Sequence, residues 1–240
     1  MKVAIVFDNR PRPETTGYYC RRALGKLVDV EHLLPEELTL IDPSIFDLFL
    51  FIDDGLDYEI PAHCRPRAVW AIDTHINLSR CLTRFGDADF LFAAQKNGAQ
   101  TLQDMLGRPV TWLPLACDPR IHRPVVGERP AHDVVFVGHI LGAERIRLLE
   151  EIVRRYPSSW IGQAVFGEMA RMYSRARTGF NCSVADDLNM RLFEIPACGI
   201  SLVTNHIVDN GLEELFEIGR HLLTYRTEQE LCVPILSDCY

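Results

Sequence analysis

The stretch from Asp186 to Gly199 sets three acids (Asp186, Asp187, Glu194), one base (Arg191), an amide (Asn189) and a run of small residues (Ala197, Cys198, Gly199) between two apolar segments. The flanking segments, Arg177–Ser183 and Ile200–Thr204, read as short strands, so a turn and a short helix lie between them. The first N–H groups of a helix favour phosphate. Asn189, Met190 and Arg191 fall in that first turn, where main-chain N–H groups and a guanidinium would neutralise a diphosphate leaving group. Glu194 sits among Leu192, Phe193 and Ile195, where an unengaged carboxylate is costly to bury. Two partners suit it equally: the hydroxyls of a ribose diol, or Arg191 three residues earlier on the same helical face. Asp186 precedes Glu194 by eight positions, an acid-x7-acid spacing; helix capping is the alternative for Asp186 or Asp187.

Two other places carry candidate chemistry. Gly138 closes a strand ahead of a helix, where a missing side chain lets backbone approach a diphosphate, although taken alone a plain tight turn is the better reading. Trp70 to His75 places Asp73 and His75 just past the carboxyl end of a strand, the side on which open α/β sheets bind ligands. Either could act as general base toward a hydroxyl, and ordinary turn chemistry carries the same weight. His122 and His132 receive no role, and His139 only a position near the site. Neither a GxGxxG fingerprint nor a Walker-A lysine is present, which argues against dinucleotide-binding and P-loop readings.

These residues need a scaffold, and short apolar strands alternating with helix-period segments supply one: a mostly parallel α/β arrangement of βαβ units. Strands are expected at Lys2–Phe7, Asp47–Ile52, Ala68–Ile72, Ala88–Ala93, Val110–Leu115, Asp133–Val137 and His221–Tyr225. Helices are expected at Gly17–Leu27, Lys96–Leu106, Ala143–Tyr156 and Gly211–Phe216. Residues 117–132 are rich in proline and arginine without an apolar period and read as a linker. It would divide a first Rossmann-like domain (1–116) from a second (133–240). Thr227 and Glu230 have the spacing of a capping box. The chain stops soon afterwards at Tyr240, so the second domain reads as shortened.

Composition narrows the function classes. The chain has 240 residues, 48% of them apolar, and a formal net charge of −8. An acidic balance disfavours nucleic acid as the main partner, because phosphate-backbone binding needs a concentrated basic face. Its longest apolar run, near Phe46–Ile52, is far short of the roughly 20 residues of a membrane span. The amino terminus has no export signal, which makes the cytoplasm the expected location. The eight cysteines are scattered without CxxC pairs, so free thiols are expected, and no bound metal or cofactor.

Asn181-x-Ser183, Asp187 to Glu194, Ala197-Cys198-Gly199 and Gly211 to Glu217, with Tyr225-Arg226, together resemble the carboxyl-terminal half of the CgeB-like (spore maturation protein) glycosyltransferases. Phe136-Val137-Gly138 followed by Arg145, and Trp112 to Pro119, resemble the same group. The resemblance implies a GT-B fold, two Rossmann-like domains facing a central cleft, and metal-independent hexosyl transfer from a nucleotide sugar to an unknown acceptor. It assigns Glu194 to the nucleotide ribose, Asn189, Met190 and Arg191 to the diphosphate, Gly138 to the donor turn, and Asp186 to the first acid of an E-x7-E pattern. The chain has Asp there in place of Glu. A non-catalytic two-domain binding protein and a nucleotide-sugar epimerase are the rival readings.

Overall fold

The computed structural model describes residues 1–13 and 15–231, and the chain divides into two compact units, Met1–Leu115 and Ala116–Tyr240. The expectations for Cys232, Cys239 and the end of the chain lie outside the described residues.

The first unit is built on β1 (Lys2–Val6), β2 (Asp29–Leu33), β3 (Leu48–Ile52), β4 (Arg67–Ala71), β5 (Phe90–Ala93) and β6 (Thr111–Trp112). They form one sheet in the order β2-β1-β3-β4-β5-β6, every pairing parallel. The central strands read Lys-Val-Ala-Ile-Val, Leu-Phe-Leu-Phe-Ile and Arg-Ala-Val-Trp-Ala. Such near-continuous apolar runs are what a parallel sheet covered on both faces requires. Helices α1 (Thr15–Leu24), α2 (Thr74–Phe85) and α3 (Lys96–Leu106) cover it. Phe49, Phe51, Val69, Leu91 and Leu102 pack together in the core of this unit.

The second unit repeats the plan with β7 (His132–Val137), β8 (Trp160–Gly162), β9 (Ala176–Asn181), β10 (Ser201–Asn205) and β11 (Leu223–Tyr225). Read from its other edge, this parallel sheet runs β8-β7-β9-β10-β11. Both sheets therefore share one order: second strand, first, third, fourth, fifth. The chain leaves the first strand to one side and crosses back to the other, which opens a crevice beyond the carboxyl ends of the first and third strands. In the second unit these strands are β7 and β9.

Helices α4 (Ala143–Arg155), α5 (Phe166–Ser174), α6 (Arg191–Ala197) and α7 (Leu212–Leu215) complete the second unit. A Cβ on Gly179 of β9 would stand 2.4 Å from a methyl of Ile195. The bare backbone lets α6 lie close on the sheet, and that contact sets the height at which Arg191 enters the crevice. Residues 117–131, expected as a linker, belong to this unit, with Asp118 and His122 buried in it. After β11, the Thr227 hydroxyl accepts the Glu230 N–H, as its sequence announces, whereas the Glu230 carboxylate accepts the Arg226 N–H, one residue before the N–H a capping box engages.

Candidate functional site at the carboxyl edge of the second sheet

Two arginines meet where β7 and β9 end. Arg145 lies on the α4 face that also buries Leu148, Leu149 and Ile152, so helix periodicity carries its side chain inward. Its guanidinium donates to the His139 carbonyl at 3.0 Å and to the Cys182 carbonyl at 2.7 Å, tying the loop after β7 to the loop after β9. The Arg145 Nε is buried without a hydrogen-bond partner. Arg191, the first residue of α6, donates from Nε to the Asn181 side-chain oxygen at 2.7 Å and reaches the Val137 carbonyl at 3.5 Å. Both guanidinium groups lie over the Phe136 ring, with their central carbons 5.7 and 5.4 Å from its centroid. Among the described residues, neither forms an ion pair. Burial, with a smaller contribution from the neighbouring Arg145 charge, pulls the Arg191 pKa below the usual guanidinium value.

Gly138 sits directly above this pair with a φ of +154°. A Cβ there would come within 2.8 Å of Arg191 Nη1. The glycine is needed for the guanidinium to occupy its place, and its φ is one that L side chains rarely adopt.

A polar network shapes the loop from Asn181 to Met190. The Asn181 amide donates to the Ser183 and Thr204 hydroxyls, and the Asn189 amide donates to the Ser183 hydroxyl and to Asp187. Asp187 also accepts the Val184 N–H at 3.1 Å. Ala185 and Asp186 both have left-handed φ values, 48° and 56°, conformations that cost an L residue on the order of 1–2 kcal/mol each. The Asn210 amide donates to the Asp186 carbonyl and holds that turn, leaving the Asp186 side chain exposed.

Two expectations change here. Neither aspartate caps α6: Met190 is the N-cap residue, and the Asn189 side chain accepts the Arg191 N–H at 3.2 Å. Nor are the first N–H groups of α6 open to phosphate. Those of Leu192, Phe193 and Glu194 are bonded to the Asn189 and Met190 carbonyls. The charge that can meet an anion here lies on side chains.

Glu194 is 3% exposed. The salt bridge to Arg191 does not form, because that guanidinium is turned toward Asn181. The Glu194 carboxylate accepts no hydrogen bond among the described residues, and its Oε1 lies 3.5 Å from His122 Nε2. Burial raises the Glu194 pKa to about 7, opposed by the positive charge of Arg191. Glu194 also raises the pKa values of Cys117 and Cys198, although burial is the larger cause for both thiols.

In the first unit, Asp73 lies two residues past β4 as the N-cap residue of α2, and its carbonyl accepts the Ile76 and Asn77 N–H groups. His75 lies in the next turn with Nδ1 buried and without a hydrogen-bond partner. Asn77, at φ −129° and ψ 38°, offsets this turn from the rest of α2. Nearby strand ends carry buried acids with little prominence in the sequence: Asp8 after β1, and Asp53 and Asp54 after β3. Sequence reasoning placed Asn181 and Arg145 in the resemblance, and Arg145 with Arg147 as a basic cluster able to meet a small anion, but gave them no donor-site role, and it gave His122 none. Of these, only Arg145 had a local signal, a charged residue on the apolar face of α4.

Among the described residues, no helix is long and apolar enough to cross a membrane. Residues 119–236 match a family model described as glycosyl transferase-like. No curated protein matches the sequence. An alpha-glucosyltransferase solved in complex with UDP superposes with a TM-score of 0.66 at 12% identity, over 100% of this chain and 91% of that one. AviGT4, a glycosyltransferase involved in avilamycin A biosynthesis, gives 0.58 at 16% identity over 99% and 88% of the two chains. Anabaena Alr3699/HepE, in complex with UDP and glucose, gives 0.56 at 13% identity over 99% and 89%. The second unit, which holds the arginine pair, thus carries a glycosyl transferase-like domain, and the chain shares its fold with these solved structures.

Proposed function

We propose that the carboxyl edge of the second sheet binds the nucleoside diphosphate of a sugar donor, and that the sugar passes to an acceptor hydroxyl carried by the first unit. The observation that carries this reading is the pair Arg145 and Arg191, held by neutral acceptors at the β7/β9 crevice. Their positive charge is uncancelled, partly desolvated and already oriented, the condition under which guanidinium groups best stabilise developing negative charge. Cleavage of the bond between the anomeric carbon and the diphosphate oxygen leaves its electron pair on that oxygen, and the two arginines neutralise it. Gly138 keeps the space above Arg191 open, and Asn189 and Met190 shape the approach. Asp186, exposed on its left-handed turn, is assigned to the sugar. The incoming hydroxyl must lose a proton, for which Asp73 and His75 are the candidate bases.

Glu194 is the ribose carboxylate in this reading. It is buried and short of donors, and two ribose hydroxyls would supply the hydrogen bonds it lacks, each worth about 1.5–3 kcal/mol to a charged acceptor. The finer kinship with CgeB-like enzymes rests on the motifs from Asn181 to Gly199.

Calorimetry with UDP, the nucleotide present in several of the structural neighbours, tests the assignment. Glu194→Ala is expected to abolish detectable UDP binding, and unchanged affinity would sink the ribose role. A panel of donor sugars, with and without acceptor alcohols, separates transfer from simple binding or epimerisation. A binder leaves the donor intact, and an epimerase alters the sugar without an acceptor.

A further inference from the structure

His122 lies in the segment between the two sheets, 1% exposed and directly against Glu194. Its Nδ1 accepts the Asp118 N–H at 3.1 Å, so in the neutral ring the hydrogen must sit on Nε2. That nitrogen is the one 3.5 Å from Glu194 Oε1. Asp118 is itself held in place, because its carboxylate accepts the Arg120 N–H at 2.8 Å and its carbonyl accepts the N–H groups of Ile121 and His122. The short turn from Asp118 to His122 therefore places one ring N–H, in one tautomer, 3.5 Å from one carboxylate.

We propose that His122 is a positioning residue for the sugar donor, holding the Glu194 carboxylate in the orientation that receives the nucleotide ribose. The inference rests on the ribose assignment of Glu194. It adds a second residue, from a different part of the chain, through which that carboxylate acts.

The surroundings favour this arrangement. Burial lowers the His122 pKa, so the ring is neutral near pH 7 and offers an N–H without a counter-charge. The charge of Arg191 on α6 acts on Glu194, Glu194 acts on Cys198 at the end of the same helix and on Cys117 ahead of His122, and Asp118 acts on His122. The Cys198 thiol is pushed up to about 12 and Cys117 is also raised, so both stay protonated. Glu194 is then the group that titrates near pH 7, and an N–H directed at it favours its ionised, hydroxyl-accepting form.

The test is UDP binding by calorimetry from pH 5.5 to 9, with 2′,3′-dideoxyuridine diphosphate as a probe that lacks the ribose hydroxyls. In the native enzyme, UDP affinity should rise through about pH 7 as Glu194 ionises, while the dideoxy probe shows no such rise. His122→Phe keeps the bulk but removes the N–H. It should move the midpoint upward by about one pH unit and weaken UDP binding at pH 7 up to about tenfold. His122→Asn retains an acceptor for Asp118 but cannot reach Glu194, and should behave like the Phe variant. His122→Gln carries an N–H to the Nε2 position and should restore affinity to within about twofold.

Native affinity and midpoint in both the Phe and Asn variants would overturn the proposal. So would an equal loss in all three variants for both probes, which marks a purely structural role. Glu194→Gln, measured alongside, separates the two layers. If it binds UDP as the native enzyme does, the ribose assignment has failed; if it loses affinity while His122→Phe does not, only the positioning role has failed.

Discussion

The two sheets have the same strand order, and their carboxyl edges carry opposite electrostatic arrangements. In the first unit, Arg10 pairs with Asp8 and Glu36, and Arg80 pairs with Asp53 and Asp57. Even the broad surface cavity of about 680 Å3 there, lined by Tyr58, Arg80 and Arg84 among others, has its cations facing Asp57. In the second unit, Arg145 and Arg191 are held by three carbonyls and one amide oxygen. A carboxylate partner cancels a cation, whereas a neutral acceptor orients it and leaves its charge available. The arginine's partner, more than the arginine, distinguishes a structural tie from an anion site.

Paired substitutions would break that contrast most severely. Arg191→Met should lower turnover by about a hundredfold to a thousandfold, the range seen when one preorganised donor to a developing oxyanion is removed. Arg80→Met in the first unit should cost stability in a denaturant melt while leaving UDP affinity unchanged. Equal losses of turnover from the two would show that the arginine's partner does not matter.

A subtler change moves the guanidinium without removing it. Gly138→Ala places a methyl 2.8 Å from Arg191 Nη1 on a backbone that L residues avoid. It is expected to reduce turnover by about tenfold or more, with a stability cost of about 1–3 kcal/mol. Single-turnover kinetics would reveal an unshifted arginine as a native rate.

The smallest effect is on stability, and it runs against function. The Glu194 pKa is about 7 in the folded chain against an ordinary 4.5. Between those values the folded state keeps a proton that the unfolded state has released. The contribution of Glu194 is therefore fully present below about pH 4.5 and is lost as pH rises through about 7. The loss amounts to about 3 kcal/mol. Glu194→Gln should thus gain on the native enzyme as pH rises from 5 to 8, measured by denaturant midpoints at the two values. A constant difference would mean that Glu194 is already ionised at pH 5.

How much was legible in the sequence depended on burial. The central strands β1, β3, β4 and β7 announce themselves because both faces are covered and nearly every residue is apolar. The edge strands β2, reading Asp-Val-Glu-His-Leu, and β8, reading Trp-Ile-Gly, lie half in solvent and carry no such run. Helices α2 and α5 were missed as well. Polar residues interrupt the apolar period of α2, and Asn77 breaks its backbone regularity.

Local sequence by itself determined the α/β class, the turn and short helix after Asp186, and the burial of Glu194 in an apolar setting. Those follow from periodicity, backbone sterics and the cost of unpartnered charge, all of which act over a few residues. Tertiary structure alone decided the partners. Arg191 turned to Asn181 and away from Glu194, Arg145 joined it from a helix earlier in the chain, and His122 arrived at Glu194 from ahead of the sheet's first strand. Hydrogen bonds between residues distant in sequence depend on how strands and helices stack, and no local pattern encodes that.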